Sequence, residues 1–255
     1  MDKKELIFKF KKFNMSHGQS SMRIGVDAVL LGAWCDVRNI NNVLDVGTGC
    51  GVIALMMAQR LPCGKIKGID IDIPSVEEAR KNFDASPWSE RCSVTHIDFQ
   101  TYVKKQNEIM GDNKDFGRVD LIVSNPPYFD AGITSYNSSR ILARHQGPEF
   151  SPAILLNEGK RILSDKGKIA VIVPKDVGEK LESEAVQYGM VLLRKCYVRG
   201  HEKAPYKRLL MEFGNIKNYN VEIYKDTDSF LTLEISPGLP TEAYRELCKE
   251  FYLKF

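Results

Sequence analysis

Residues 43–60, VLDVGTGCGVIALMMAQR, decide the fold. The apolar run 43–46 is short enough for a buried strand, glycines at 47, 49 and 51 punctuate a turn, and 52–60 has the apolar density of a buried helix. A strand that passes through glycines straight into a helix is one arm of a parallel-sheet crossover. The rhythm continues outward from there. Strands are expected at 66–71, 93–97, 119–124, 168–173 and 190–198, and helices at 74–83, 153–163 and 177–188. Strand-like 209–213, 221–224 and 230–234 precede a last helix over 242–252. This order predicts an α/β, Rossmann-like domain whose mostly parallel sheet carries helices on both faces. Pro74 suits a first helical turn, and Ser75 with Glu78 has capping-box spacing. The connection 129–151 has no period and is unusually long, which marks it as a candidate functional loop.

Gly47, Gly49 and Gly51 at the strand-to-helix junction let backbone approach a ligand closely. Their spacing is GxGxG, not the GxGxxG of dinucleotide sites, and Asp45 stands two residues ahead of the first glycine. An acid there disfavours a phosphate and suits a ligand with a cationic amino group, as in the methionine moiety of S-adenosylmethionine. Asp70 ends the second strand, 25 residues past Asp45, where a carboxylate can accept both hydrogen bonds of a ribose diol. Asp98 ends the third, beside Phe99; this acid and ring suit an adenine amino group and an adenine face. Asp72 reads as a helix-start residue.

The fourth strand runs into Asn125, Pro126, Pro127 and Tyr128. Two prolines fix φ and remove two donors, so the corner is stiff and offers carbonyls without competing N–H groups. An exocyclic amine on a planar base is a poor nucleophile because its lone pair is delocalised. If the Asn125 side-chain oxygen and the Pro126 carbonyl each accept one amine N–H, the lone pair turns out of plane toward an electrophilic methyl group. Tyr128 would stack on the flat substrate and hold it in near-attack geometry.

The motifs LDVGTGCG (44–51), GIDID (68–72), HIDF (96–99) and SNPPY (124–128), in this order, resemble the class I S-adenosylmethionine-dependent amino-methyltransferases. FKFKKF (8–13), MRIGVDAVLLGAWC (22–35), SPWSERCSV (86–94), NPPYF (125–129) and ARH (143–145) narrow the resemblance to the bacterial tRNA(Val) adenine-37 N6-methyltransferase family, over most of residues 8–210. It implies a seven-stranded sheet with the last strand antiparallel, S-adenosylmethionine as cofactor, and methylation of the adenine beside the anticodon, with Asn125, Pro126 and Tyr128 addressing that base. Val26-Asp27-Ala28 replaces the Thr-Asp-Gly frequent in the family, and Tyr128 replaces phenylalanine.

The 255 residues, 43% hydrophobic and 27% charged, exclude disorder, collagen and coiled coil, and the net charge of +3 does not by itself imply nucleic acid. The distribution says more. Residues 1–23 hold six Lys or Arg against two acids, and residues 194–208 hold six against one, so a polyanion is expected at these two segments. Lys9, Lys11, Lys12, Arg144, His145, Lys207 and Arg208 are the candidate RNA contacts, on the anticodon arm of a tRNA. Phe8, Phe10 and Phe13 alternate with lysines and are either base-stacking rings or the buried face of an edge strand.

One domain is expected over 1–255, with 1–40 as a basic amino-terminal extension. The six cysteines form no CxxC pair, the four histidines form no nucleophile arrangement, and the start, MDKKELIFKFKKF, reads as neither secretion signal nor anchor. A cytoplasmic protein is expected, with no metal, membrane or obligate protein partner. Two other functions fit parts of the pattern. Glutamine-amide methylation of a release factor presents the same amide problem to an NPPY corner, but would be expected to carry a sizeable helical domain ahead of the glycine turn, where about 40 residues stand. A non-catalytic RNA-binding module would not need intact acids and an intact NPPY.

Overall fold

The chain starts with a small antiparallel hairpin of β1 (Ile7–Lys9) and β2 (Asn14–Ser16), then α1 (Val26–Trp34). Strands and helices then alternate: β3 (Asn42–Val46), α2 (Val52–Arg60), β4 (Lys65–Asp70), α3 (Ile73–Asp84), β5 (Cys92–His96), α4 (Phe99–Met110) and β6 (Val119–Ser124). After these come α5 (Pro152–Gly159), β7 (Leu163–Pro174), α6 (Lys175–Glu184), β8 (Met190–His201) and β9 (Arg208–Asn215). The last elements are β10 (Asp228–Ser236), β11 (Leu239–Pro240) and α7 (Glu242–Cys248). The structure, a computed structural model, describes residues 6–18, 20, 24–111, 117–126, 150–219 and 228–255. The strand expected at 221–224, and Pro127, Tyr128, Arg144 and His145, lie outside the described residues.

The main sheet has the order β11-β10-β8-β9-β7-β6-β3-β4-β5. Strands β3 to β8 all run one way, and β9, the seventh of the expected set, inserts antiparallel between β7 and β8. The sheet is two strands wider than expected. Strand β10 adds parallel to β8 because its inward residues, Leu231 and Leu233, join the core beneath α7 with Tyr244 and Cys248. Its partner β11 ends in Pro240, a residue suited to a sheet edge because it offers no donor.

Two cores cover the two faces. One holds side chains of α1, α2, α3 and α7, among them Leu30, Met56, Phe83 and Tyr244. The other holds Val103, Leu155, Leu181 and their neighbours from α4, α5 and α6. Segment 1–40 is therefore not only an extension: Ala28 to Ala33 of α1 are buried within the first core. Apart from Asp27 in its first turn that helix is apolar, so it carries no polar stripe to announce its period. Asp72, not Ser75, caps α3: its Oδ2 accepts from the Ser75 amide at 3.0 Å. Glu78 is instead buried and turned to the amino-terminal segment.

Candidate active site

The site stands at the carboxyl ends of the parallel strands, where a doubly wound sheet leaves a crevice. The turn after β3 has Gly47 at φ +71° and Gly51 at φ +88°, conformations that L side chains rarely adopt. Space divides the two. A Cβ at Gly51 would lie 2.5 Å from the Phe83 ring, whereas no described residue lies within 4 Å of the corresponding position at Gly47 or Gly49. The turn thus presses its last glycine against α3 and shows bare backbone at the other two.

Asp45 lies beneath this turn, 0% exposed. Its Oδ2 accepts from the Thr48 hydroxyl at 2.7 Å and the Ala54 amide at 3.1 Å, tying strand, turn and α2 together. Its Oδ1 is buried with no partner among the described residues. Burial pushes the carboxyl up to about 7 against these two hydrogen bonds. An orphaned carboxylate oxygen demands a proton or a cation, and the open backbone above it fits a ligand carrying one.

Asp70 closes β4 next to the turn. Its Oδ2 accepts from the Gly49 amide and its Oδ1 from the Asp72 amide, both at 2.9 Å, which orients the carboxylate and leaves lone pairs for further donors. Burial raises its proton affinity, opposed by those backbone bonds. Asp98 caps α4 through the Thr101 amide at 2.9 Å. Partial burial works to raise this carboxyl, but the hydrogen bonds from Thr101 and neighbouring backbone outweigh it and hold it below the usual carboxylate range. Phe99 departs from expectation: only 5% exposed, it packs into the core, edge-on to Phe150 with ring centres 5.9 Å apart. It offers no open face. Ile71, between the two acids of GIDID and 42% exposed, does; an apolar residue exposed between acids was the available signal.

The Asn125–Pro126 corner adjoins the turn directly. Strand β6 pairs with β3 in the register Asp45↔Val123, and the Ser124 hydroxyl donates to the Val46 carbonyl at 2.8 Å. Asn125 and Pro126 follow immediately, so the corner and the glycine turn leave the sheet on neighbouring strands, about 4.8 Å apart. Asn125 is partly exposed and Pro126 buried.

The amino-terminal segment is bolted to the same turn. Asn82 of α3 donates to the carbonyls of Ser16 (2.9 Å) and Cys50 (2.8 Å) and accepts from the Ser16 amide (2.8 Å). The carboxylate of Glu78 accepts from the amides of Gly18 and Ser20, each at 2.8 Å. None of these links was legible beforehand.

The basic residues divide. Lys11 donates to the carbonyls of Lys249 (2.6 Å) and Phe255 (2.7 Å), fastening the hairpin to the carboxyl-terminal end, and Lys12 pairs with Glu250 at 3.4 Å. Lys9 is exposed. Phe10 and Phe13 are buried in the core and are not RNA-stacking rings. In the second basic segment, Arg194 pairs with Glu212, Lys195 with Glu182 and Asp228, and Arg208 with Asp27, while Lys207 is exposed. A cavity of about 650 Å³ lies at the opposite end of the strands, lined by Trp34 and by side chains already joined in ion pairs, Lys168 to Asp36 at 2.7 Å and Arg194 to Glu212 at 2.8 Å. Among the described residues no three metal-ligating side chains converge, and no helix is long and apolar enough to cross a membrane.

A seven-strand order with one antiparallel insertion, widened at its edge and carrying an open glycine turn on β3, defines a class I S-adenosylmethionine-dependent methyltransferase. The fold is shared with the crystal structure of a predicted O-methyltransferase from Agrobacterium tumefaciens (TM-score 0.57, 16% identity, 88% of this chain and 96% of that one). Residues 20–181 match the methyltransferase small domain family. The chain is 38% identical to the tRNA1(Val) (adenine(37)-N6)-methyltransferase of Trichodesmium erythraeum, over 97% of this chain and 98% of that one. It is 35% identical to the protein of the same name in Vibrio campbellii, over 97% and 95%. This chain belongs to the tRNA1(Val) (adenine(37)-N6)-methyltransferase family.

Proposed function

We propose that this protein methylates the exocyclic N6 amine of an adenine in tRNA, adenine-37 of tRNA(Val), within the anticodon arm. The observation that carries the reading is the hydrogen bond from Ser124 to Val46, which joins the Asn125–Pro126 corner to the strand that bears the glycine turn.

Gly47 and Gly49 would lie against the methionine moiety of the donor, with its ammonium meeting the demand of Asp45 Oδ1 for a cation. Asp70 would hold the ribose hydroxyls, and Asp98 and Ile71 the adenine amine and ring. S-adenosylmethionine, when bound, supplies an electrophilic methyl carbon on a sulfonium. The Asn125 side-chain oxygen and the Pro126 carbonyl accept the two N–H groups of the target amine and turn its lone pair out of the base plane. Stacking on Tyr128 keeps the base from rotating away from that alignment. No ionised base is needed, because the nitrogen becomes acidic as it forms its new bond and then sheds a proton. The adenine must first be unstacked from its loop, at a cost of a few kcal/mol.

The test is incubation of the protein with labelled S-adenosylmethionine and total tRNA from a strain lacking the enzyme, followed by nucleoside analysis and mapping on isolated species. N6-methyladenosine at position 37 of tRNA(Val) is expected; absence of label from tRNA overturns the proposal.

A further inference from the structure

The hairpin joining β8 and β9 stands at the same end of the sheet as the catalytic corner. Register shows this: Ser124 of β6 pairs with Val171, while the row Val173, Leu209, Tyr197, Phe230 lies two residues further toward the carboxyl ends, level with Pro126. Three to four strand spacings separate β6 from β8 and β10, roughly 14–19 Å.

An aromatic cluster occupies that position. Tyr197 and Phe230 stack with centres 5.3 Å apart and planes 15° off parallel, and Tyr206 meets Phe230 at 5.4 Å. The Arg199 guanidinium sits 4.9 Å from the Tyr206 ring centre. It is held by the Thr232 hydroxyl (2.8 Å) and the Glu202 carbonyl (2.6 Å), so its charge is fixed in place with no carboxylate partner among the described residues. Phe230 nevertheless remains 62% exposed. Pinning β10 to β8 needs the Tyr197–Phe230 contact alone; it needs neither an open ring nor a pre-ordered cation beside it. Lys203 and Lys207 stand exposed on the same hairpin, where phosphates would run, while Lys195 is already neutralised by Glu182 and Asp228. Among the described residues, the acids beside this patch are Glu182 and Asp228, both paired with Lys195, and the exposed Glu202 of the hairpin turn.

We propose that Tyr197, Tyr206, Phe230 and Arg199 form a platform on which an unpaired base of the RNA substrate stacks, a few nucleotides from the base being methylated. The proposal rests on the tRNA-methyltransferase reading above. The rings supply a sequence-tolerant stacking surface, and the cations follow the backbone that leads to it. Two anchors along one rim fix the register of the RNA, so that the adenine turned out at Asn125 is the intended one.

The experiment uses full-length enzyme and in vitro transcribed substrate tRNA, comparing wild type with Phe230→Leu, Phe230→Trp, the double variant Phe230→Leu/Tyr206→Leu, and Arg199→Ala. The leucine variants are expected to bind tRNA about 5- to 150-fold more weakly. Their affinity for S-adenosylmethionine and their thermal midpoint should stay near those of wild type, and Phe230→Trp should restore binding. The ring variants should keep the slope of log affinity against log salt, and Arg199→Ala should lower it by about one. Unchanged tRNA affinity in folded leucine variants overturns the platform, as would be seen if the patch served a protein partner. Loss of tRNA binding in step with thermal midpoint and cofactor affinity also overturns it, since that is the signature of a structural staple. If the double variant does not fold, Phe230→Leu at its exposed position decides. Wild-type enzyme that transfers no methyl to tRNA defeats the underlying reading instead, a result obtained without any variant.

Discussion

The Ser124 hydroxyl donates a 2.8 Å hydrogen bond to the carbonyl oxygen of Val46, joining the last residue of β6 to the last residue of β3. Each residue immediately precedes one arm of the site, the Asn125 corner on one side and the Gly47 turn on the other. Ser124 is fully buried, so Ser124→Ala removes the bond without opening a path for water. A loss of about 1 kcal/mol in a urea titration is expected. Because the bond sets the spacing of the two arms, turnover should fall further than affinity for S-adenosylmethionine. Equal effects on both would show that the hydroxyl matters to the fold alone.

The glycines of the turn separate stability from ligand access. Gly51→Ala drives a Cβ to 2.5 Å from the Phe83 ring of the core and keeps a positive φ, so several kcal/mol of stability should be lost. Gly47→Ala meets none of the described residues within 4 Å and has its φ of +71° to oppose, about 1 kcal/mol. Its methyl, however, enters the space above the turn. Calorimetric titration should therefore find folded Gly47→Ala binding S-adenosylmethionine at least tenfold more weakly. Undiminished binding would move the ligand away from this turn.

What the sequence disclosed followed from local period. The strand, turn and helix of 43–60 and the acids at three strand ends are neighbours along the chain, and their placing was readable there; that Asp45 braces the turn and Asp98 caps α4 was not. The ion pairs were not. Arg208 meets Asp27 across 181 residues, which converts a supposed phosphate contact into a link between β9 and α1. Lys11 likewise ends on carbonyls at the far end of the chain. Phe99 follows a strand-end acid, the position of a base-covering ring, yet Phe150 and Gly159 of the α5 region draw it into the core, and no local signal carries that. The strand β10 was found, but its place in the sheet depends on the face that α7 covers, where Leu231 and Leu233 meet Tyr244 and Cys248.

Asp45 makes both folding and ligand binding depend on pH. Its carboxyl titrates near 3.8 ordinarily and is pushed up to about 7 by burial in the folded chain. The folded state then holds the proton more tightly than the unfolded one. This contribution to stability is complete below about 4 and is lost as pH rises through about 7, a change on the order of a few kcal/mol. Cofactor affinity should move the other way, strengthening toward pH 8 as a carboxylate becomes available to the ligand's ammonium. Asp45→Asn should flatten both profiles in parallel denaturation and binding series at pH 5, 6, 7 and 8. Superimposable profiles for wild type and variant would remove Asp45 from both roles.

Asn125 offers the most direct check of the chemistry. If its side-chain oxygen accepts an N–H of the target amine, Asn125→Ala removes an acceptor that matters most when the nitrogen forms its new bond, and single-turnover rates at saturating cofactor and tRNA should fall about 10²–10³-fold. The glycine turn and Asp70 are untouched, so S-adenosylmethionine should bind within about twofold of wild type. Asn125→Asp keeps an oxygen at the same position and should retain more activity than the alanine variant, despite the added charge beside a buried proline. That ordering separates an acceptor from a packing residue. A side chain that merely filled space would make the aspartate variant no better than alanine, and the role assigned to the corner would have to pass to backbone carbonyls alone.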